Sequence, residues 1–270
     1  MTTQQLAQLC QDSLKAIRPT ADFIRAELGK VGAAQVEVKD LNSLVSYVDK
    51  TAEEQLVKSL GALLPEATFL TEEGTVEQAE GKYRWIIDPL DGTTNFLHQI
   101  PFFSISVALL QEEEVVMGLV VEVVREEYFS AWKGGGAWLN GQPIKVSGNE
   151  QLADALVATG FPYYDFDRLD GYMALLRKLF QATRGLRRLG SAALDLAYVS
   201  CGRFDAFFEY GLNPWDVAAG VLLVEEAGGK VTDFSNGKNY IFGRELVCGS
   251  PAVHVALHDL TKQHLQSASL

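Results

Sequence analysis

Apolar residues recur at Leu6, Cys10, Leu14, Ile17, Ala21, Ile24 and Leu28 in steps of three and four, which predicts a helix over residues 4–28 with one apolar face. Pro19 falls inside that run. Its ring removes a backbone donor and crowds the preceding turn, so a kink is expected there rather than two separate helices. A second helix is expected to start at Asp49 as N-cap, to turn Leu56, Leu60 and Leu63 inward, and to stop before Pro65. Beyond it the period drops to two or to unbroken apolar runs, at 68–70, 83–88, 103–110, 115–124 and 126–133, which read as strands. Short turns between the later ones predict an antiparallel meander. After about residue 150, helical stretches near 168–181, 191–201, 214–227 and 252–266 alternate with strand-like 205–210, 230–234 and 245–250. Gly202 and Gly228 stand where helices end in a left-handed residue, and Asn213-Pro214 has the form of an N-cap followed by a first helical proline.

No repeat, low-complexity tract or long linker interrupts the chain, so two halves, 1–150 and 151–270, are expected to pack closely with candidate sites in the cleft between them. With 270 residues, 47% apolar and 21% charged, the chain is long enough for a dry core, and disorder is excluded for most of it. Acids outnumber bases by 35 to 23. That surplus argues against nucleic acid or anionic membrane as partners, since both need clustered cations, and it means that an anionic substrate would need metal ions to reverse the local sign. The most apolar run, 115–124, is far shorter than the roughly 20 residues of a membrane span, and the N-terminus has no pattern of a secretory signal. Three widely spaced cysteines, Cys10, Cys201 and Cys248, fit small buried thiols in a reducing cytoplasm better than a disulfide scaffold or a zinc site.

The densest chemistry lies in Trp85-Ile-Ile-Asp88-Pro89-Leu90-Asp91-Gly92-Thr93-Thr94-Asn95-Phe96. A strand ends at Asp88, proline and glycine turn the chain, and the two threonines are expected to cap a short helix. Asp88 and Asp91 can then converge on one point while the amides of Gly92, Thr93 and Thr94 face an anion. Carboxylates beside an anion nest call for cations between them, and hard oxygen donors suit Mg²⁺. The same residues also fit an ordinary Asx-turn with two solvated aspartates. Glu72-Glu73-Gly74 ends another strand and is, by itself, equally consistent with a solvated loop. Asp216 falls in the first turn of a helix, where the macrodipole alone explains an acid, but Trp215 and the small Ala218, Ala219 and Gly220 suggest a dry turn in which a carboxylate needs a partner.

EEG at 72–74, WIIDPLDGTTNF at 85–96 and WDVAAG at 215–220, in that order, resemble the inositol monophosphatase family of Mg²⁺-dependent, lithium-sensitive phosphatases. Segments at 44–50, 133–147, 187–209 and 225–234 extend the likeness over nearly the whole chain. Thr71 departs from the glycine usual before the two acids, which touches the loop but no ligand. The resemblance implies a layered αβαβα sandwich of mixed α/β class. It implies that Glu72, Asp88 and the carbonyl of Leu90 hold one Mg²⁺, that Asp88, Asp91 and Asp216 hold a second, and that Glu72 helps hold a weaker third. Glu72 and Thr93 would orient the attacking water, with Asp49 supporting them, and the amides of Gly92 and Thr93 would take phosphate oxygens. Glu209, seven residues before Asp216, would bind substrate hydroxyls, and Gly190, Ser191 and Ala192 would line the same pocket. Asp49 also stands where a helix N-cap belongs, and Glu209 where a surface acid ends a strand. Lys39 has no motif around it, and His98 is expected to be structural.

The expected activity is hydrolysis of a small phosphorylated polyol or sugar, foremost an inositol monophosphate, by direct attack of water, from a cytoplasmic homodimer as is usual in that family. Neither a CxxxxxR nor an N-terminal DxDx(T/V) pattern of a covalent phosphatase is present. Alternatives are a 3′-phosphoadenosine 5′-phosphate, fructose 1,6-bisphosphate or related sugar or nucleotide phosphatase, and, from another class, a metal-binding regulatory scaffold.

Overall fold

In the computed structural model, residues 1–40, 43–162 and 166–265 are described. Thr2 and Gln5 cap each other's amides, and the first helix, α1 (Thr3–Glu27), runs through Pro19 as one helix, burying Leu6, Cys10, Ile17, Ala21 and Ile24. A hairpin of β1 (Val36–Asp40) and β2 (Ser43–Ser46) follows, for which the sequence has no periodic signal. The next helix, α2 (Tyr47–Leu63), begins earlier than expected. Ser46 is its N-cap, and Asp49 is the third residue inside, reaching back to accept from the Ser46 amide at 2.8 Å. An aspartate is favoured at a helix start both as N-cap and as third residue, accepting from different amides, so composition does not distinguish the two positions.

Next come β3 (Thr68–Thr71), β4 (Tyr83–Asp91), the short α3 (Thr93–Leu97), β5 (Ser104–Gln111), β6 (Glu114–Glu122), β7 (Glu127–Trp132), β8 (Ala137–Leu139) and β9 (Gln142–Ile144). They form one seven-stranded sheet in sequence order. From β4 onward it is the expected antiparallel meander, with β3 added in parallel at the edge. The three-residue β8 and β9 are too short to show a period. The threonines do not cap α3: Gly92, in the left-handed region at φ 97°, is its N-cap, and Thr93 and Thr94 lie within it.

The rest of the chain gives β10 (Leu156–Thr159), α4 (Leu169–Ala182), β11 (Gly185–Arg187), α5 (Ala192–Ser200), β12 (Ala206–Tyr210), α6 (Pro214–Glu226), β13 (Lys230–Thr232), β14 (Glu245–Gly249) and α7 (Pro251–Leu265). A five-stranded sheet runs β11-β10-β12-β14-β13, with β14 antiparallel to both neighbours. Five layers result: α1 and α2, the large sheet, α5 and α6, the small sheet, then α4 and α7. Every residue of α6 from Val217 to Val224 is buried, as required of a helix covered by β-sheet structure on one side and a helix on the other. His254, His258 and His264 lie on α7, far along the chain from the acidic motifs.

Candidate active site

The strand β4 carries the motif to the edge of the cleft, and a bulge aims it. Asp88 pairs with Ser106 and Asp91 with Ser104, so three steps on β4 face two on β5. Pro89, which cannot donate to a ladder, occupies the bulge. Asp88 is buried, and its Oδ1 accepts from the Leu90 amide at 2.9 Å. Gly92 then turns the chain where a Cβ would meet the Phe102 carbonyl at 3.1 Å and the Gly190 carbonyl at 3.3 Å.

A cavity of about 160 Å³ opens here between the two sheets, lined by Glu72, Asp91, Gly92 and Thr93 from one side and by Gly190, Ser191, Ala192, Glu209 and Asp216 from the other. Asp49, Asp88 and Leu90 stand directly behind this wall rather than on it. The Thr93 hydroxyl faces two acceptors, Asp49 Oδ1 at 2.9 Å and the Leu90 carbonyl at 3.0 Å. Asp91 joins the halves: its Oδ2 accepts from the Ser191 hydroxyl at 2.6 Å and from the Ala193 amide at 2.7 Å, at the start of α5. Ser191 is also the N-cap of that helix. Asp216 spends one oxygen on the Asn213 amide, 2.7 Å away, in the capping box that opens α6. His98 is exposed and absent from the cavity wall, and Lys39 lies on β1 with its side chain outside the described residues.

The electrostatics explain what such a wall needs. Burial, the charges of Glu72, Asp91 and Asp216, and a hydrogen bond shared with Glu72 push Asp88 well above the usual carboxylate range. Desolvation pushes Asp91 up to about 6 against the pull of the Ser191 hydroxyl and the Ala193 amide. Asp216 rises from desolvation and from the charges of Asp91, Glu72 and Glu209. Glu209 is raised to about 8 by burial and by Asp91, with Arg188 opposing. Four acids that raise one another are stabilised by a shared cation or by protons. Among the described residues no three His, Cys, Asp or Glu side chains are already drawn into a closed ligand shell. Among the described residues lining the cavity, the side chains able to hold a metal ion offer hard oxygens, the set that suits Mg²⁺, and none is a thiolate or imidazole.

Residues 4–269 match the model of the inositol monophosphatase family. The chain belongs to that family. It is 41% identical over 258 residues to the Nus factor SuhB of Pseudomonas aeruginosa, covering 94% of this chain and 95% of the relative, and 38% identical over 260 residues to the inositol-1-monophosphatase of Mesorhizobium japonicum, with 96% of each covered. Among solved structures, the extragenic suppressor protein suhB of Bartonella henselae superposes with a TM-score of 0.89 at 37% identity, over 94% of this chain and 98% of that one. The IMPase of Thermotoga maritima gives 0.86 at 34%, over 94% and 96%.

The inositol monophosphatase fold therefore brings the three separated motifs to one cavity, and it adds residues that motif reading did not single out. Arg188 lines the cavity opposite Glu209, its guanidinium 5.1 Å from the Phe161 ring centre. Asp195 lines it from the first turns of α5, 1% exposed, with Oδ1 lacking a hydrogen-bond partner. Asn95 donates to the Phe102 and Leu189 carbonyls at 2.7 and 2.8 Å, stitching α3 to the segment that leads to Gly190. A basic pair near a glycine and an aspartate within a helix carry no signal of their own; only the tertiary packing of the segment from β11 into α5 places them here.

Proposed function

We propose that the chain hydrolyses a small phosphate monoester, foremost an inositol monophosphate, with Mg²⁺ and water as the attacking group. The meeting of Glu72, Asp91 and Asp216 on one cavity, with the buried Asp88 behind its wall raised by the charges of all three, carries this reading. Glu72, Asp88 and the Leu90 carbonyl would hold one ion, Asp88, Asp91 and Asp216 a second, with Glu72 contributing to a third. Mg²⁺, when bound, neutralises phosphoryl oxygens and lowers the pKa of water, the two things a phosphate dianion requires before it can be attacked. Family members are generally Mg²⁺-dependent and lithium-sensitive, and the usual homodimer and a cytoplasmic location belong to the same reading. Among the described residues no helix is long and apolar enough to cross a membrane.

The chain's own groups divide the remaining work. Thr93, its proton held between Asp49 and the Leu90 carbonyl, turns its lone pairs to the cavity and orients a water together with Glu72. The Gly92 and Thr93 amides take phosphate oxygens. Glu209, on the cavity wall, accepts hydrogen bonds from ring hydroxyls. Gly160 makes room for it, since a Cβ there would fall 1.9 Å from the Glu209 carboxylate. A second phosphate on that side would meet Glu209 and Asp195, and among the described cavity-lining residues Arg188 is the sole cation.

The test is kcat/KM on myo-inositol 1-phosphate, glycerol 2-phosphate, fructose 1,6-bisphosphate and 3′-phosphoadenosine 5′-phosphate, for wild type and Glu209→Gln. Inositol phosphate should lead, and Glu209→Gln should penalise it more than glycerol phosphate. A preference for either bisphosphate by more than about tenfold, ~1.4 kcal/mol, would overturn the inositol assignment and leave the phosphatase chemistry standing. The name Nus factor carried by relatives at 41% and 40% identity favours a second, regulatory role beside catalysis. The net charge of −12 would direct that role toward protein rather than RNA contacts.

A further inference from the structure

Glu53 is wholly buried on α2, one turn after Asp49 and on the same face. Its carboxylate is surrounded by donors from a single stretch of chain. Oε1 accepts from the Thr71 hydroxyl at 2.9 Å and from both the amide and the hydroxyl of Thr75 at 2.7 Å. Oε2 accepts from the Glu73 amide at 2.7 Å. That stretch is the loop in which the chain leaves β3, and Glu72 lies in the middle of it. The Glu72 amide makes the last backbone bond to β4, donating to the Ile87 carbonyl at 3.1 Å, and Gly74 then reverses the chain at φ 64°. From Glu73 to Thr75, the direction of the loop is set by one carboxylate on a neighbouring helix.

A buried charge with four donors on it is a strong fastening, because charge-assisted bonds are stronger than neutral ones and an amide left facing a wrong partner is costly. Asp49 meanwhile holds the Thr93 hydroxyl. One face of α2 thus references two separate segments, the loop carrying Glu72 and the start of α3 carrying Thr93. We infer that Glu53 is a positioning residue that sets where Glu72 points into the cavity, and through it the affinity of the site for Mg²⁺. The inference rests on the proposed role of Glu72 as an Mg²⁺ ligand.

Glu53→Gln tests it, because the change keeps the side chain's size and one acceptor. The amide oxygen can still serve the Thr71 and Thr75 donors, while the NH₂ group must face the Glu73 amide, donor against donor, next to Glu72. Mg²⁺ binding to the whole protein, read by titration calorimetry, should weaken about tenfold in Glu53→Gln. kcat at saturating Mg²⁺ should stay within about twofold of wild type, and the Glu73 amide should lose hydrogen-exchange protection. A lowered thermal midpoint with Mg²⁺ affinity within twofold of wild type would overturn the inference and leave Glu53 a purely structural residue. Should Glu53→Gln fail to fold, Thr75→Val removes one hydroxyl donor and keeps the amide. Two- to threefold weaker Mg²⁺ binding is then expected, and unchanged binding overturns the inference. Glu72→Gln separates this from the parent assignment: if it binds Mg²⁺ as wild type does, Glu72 is not a ligand and both ideas fall. If it loses binding while Glu53→Gln does not, only the positioning role falls.

Discussion

Asp91 belongs to both halves of the molecule, being carried by β4 and fastened to the first turn of α5 through Ser191 and Ala193. Such a residue can be neutralised without being dislodged. In Asp91→Asn the amide oxygen can keep the Ala193 and Ser191 bonds while the NH₂ group takes the place of the second carboxylate oxygen. The fold should therefore persist, and activity should fall about 100-fold or more, the scale of a lost electrostatic contribution of ~3 kcal/mol in a catalytic site. Turnover within a few-fold of wild type at saturating Mg²⁺, from a protein with an unchanged circular dichroism spectrum, would remove Asp91 from the proposed metal site.

At the scale of elements, the central packing of α6 against the large sheet depends on Gly118 of β6. A Cβ built there would fall 2.5 Å from the Ala219 carbonyl and 3.0 Å from its Cα, both backbone atoms of α6. Gly220 of α6 allows a similar approach on the α5 side, where a Cβ would meet the Leu196 side chain at 2.5 Å. Backbone cannot rotate out of the way as a side chain can, so Gly118→Ala has to lift the helix off the sheet. Overpacking of this kind costs about 1–3 kcal/mol, and urea denaturation should show it as a lower midpoint with an unchanged slope. Because Asp216 is carried by α6, the same variant should also lose activity. Gly220→Ala, which meets the Leu196 Cβ, an atom that no rotamer change moves, should also destabilise, by forcing α5 and α6 apart. If Gly118→Ala were as stable as wild type, the contact with α6 backbone would not be the constraint.

For the molecule as a whole, stability against pH reports the groups that folding has desolvated. His254 on α7 is fully buried, with Nε2 2.9 Å from the Thr232 hydroxyl and its ring stacked on His258. Burial, with Lys230 and His258 adding repulsion, lowers its pKa to about 4 from 6.5. The folded His254 stays neutral where the unfolded chain takes a proton, so its contribution is complete above pH 6.5 and is lost as pH falls toward 4, by up to about 3 kcal/mol. Asp88, Asp195 and Glu209 act with the opposite sign: their raised values mean that the fold binds protons more readily than the unfolded chain over that range. The net curve therefore hides both, and the comparison has to be with His254→Gln, which can keep the Thr232 bond. The unfolding free energy of wild type minus that of the variant should decline between pH 6.5 and 4.5. A flat difference would show that His254 charges freely within the fold.

Periodicity alone located α1, the meander and the alternation of the second half, because each of those segments is long enough to show which face is apolar. The Asn213-Pro214 start of α6 was equally legible, since capping chemistry is local. The β1–β2 hairpin, β8, β9, β10 and β11 were not, although β3, β12, β13 and β14, which are no longer than these, were. Nor could Asp49 be placed as the third residue of α2 rather than its cap, as an aspartate is favoured at both positions. The three acidic motifs were visible as separate strings, and their order carried the family resemblance. Their meeting in one cavity was decided only by the tertiary structure, which stacks α5 and α6 between the two sheets. The residues with no local signal show the same limit most clearly. Glu53, Arg188 and Asp195 look like any helix or loop charge in the sequence, and acquire meaning only from donors and charges contributed by distant segments of the chain.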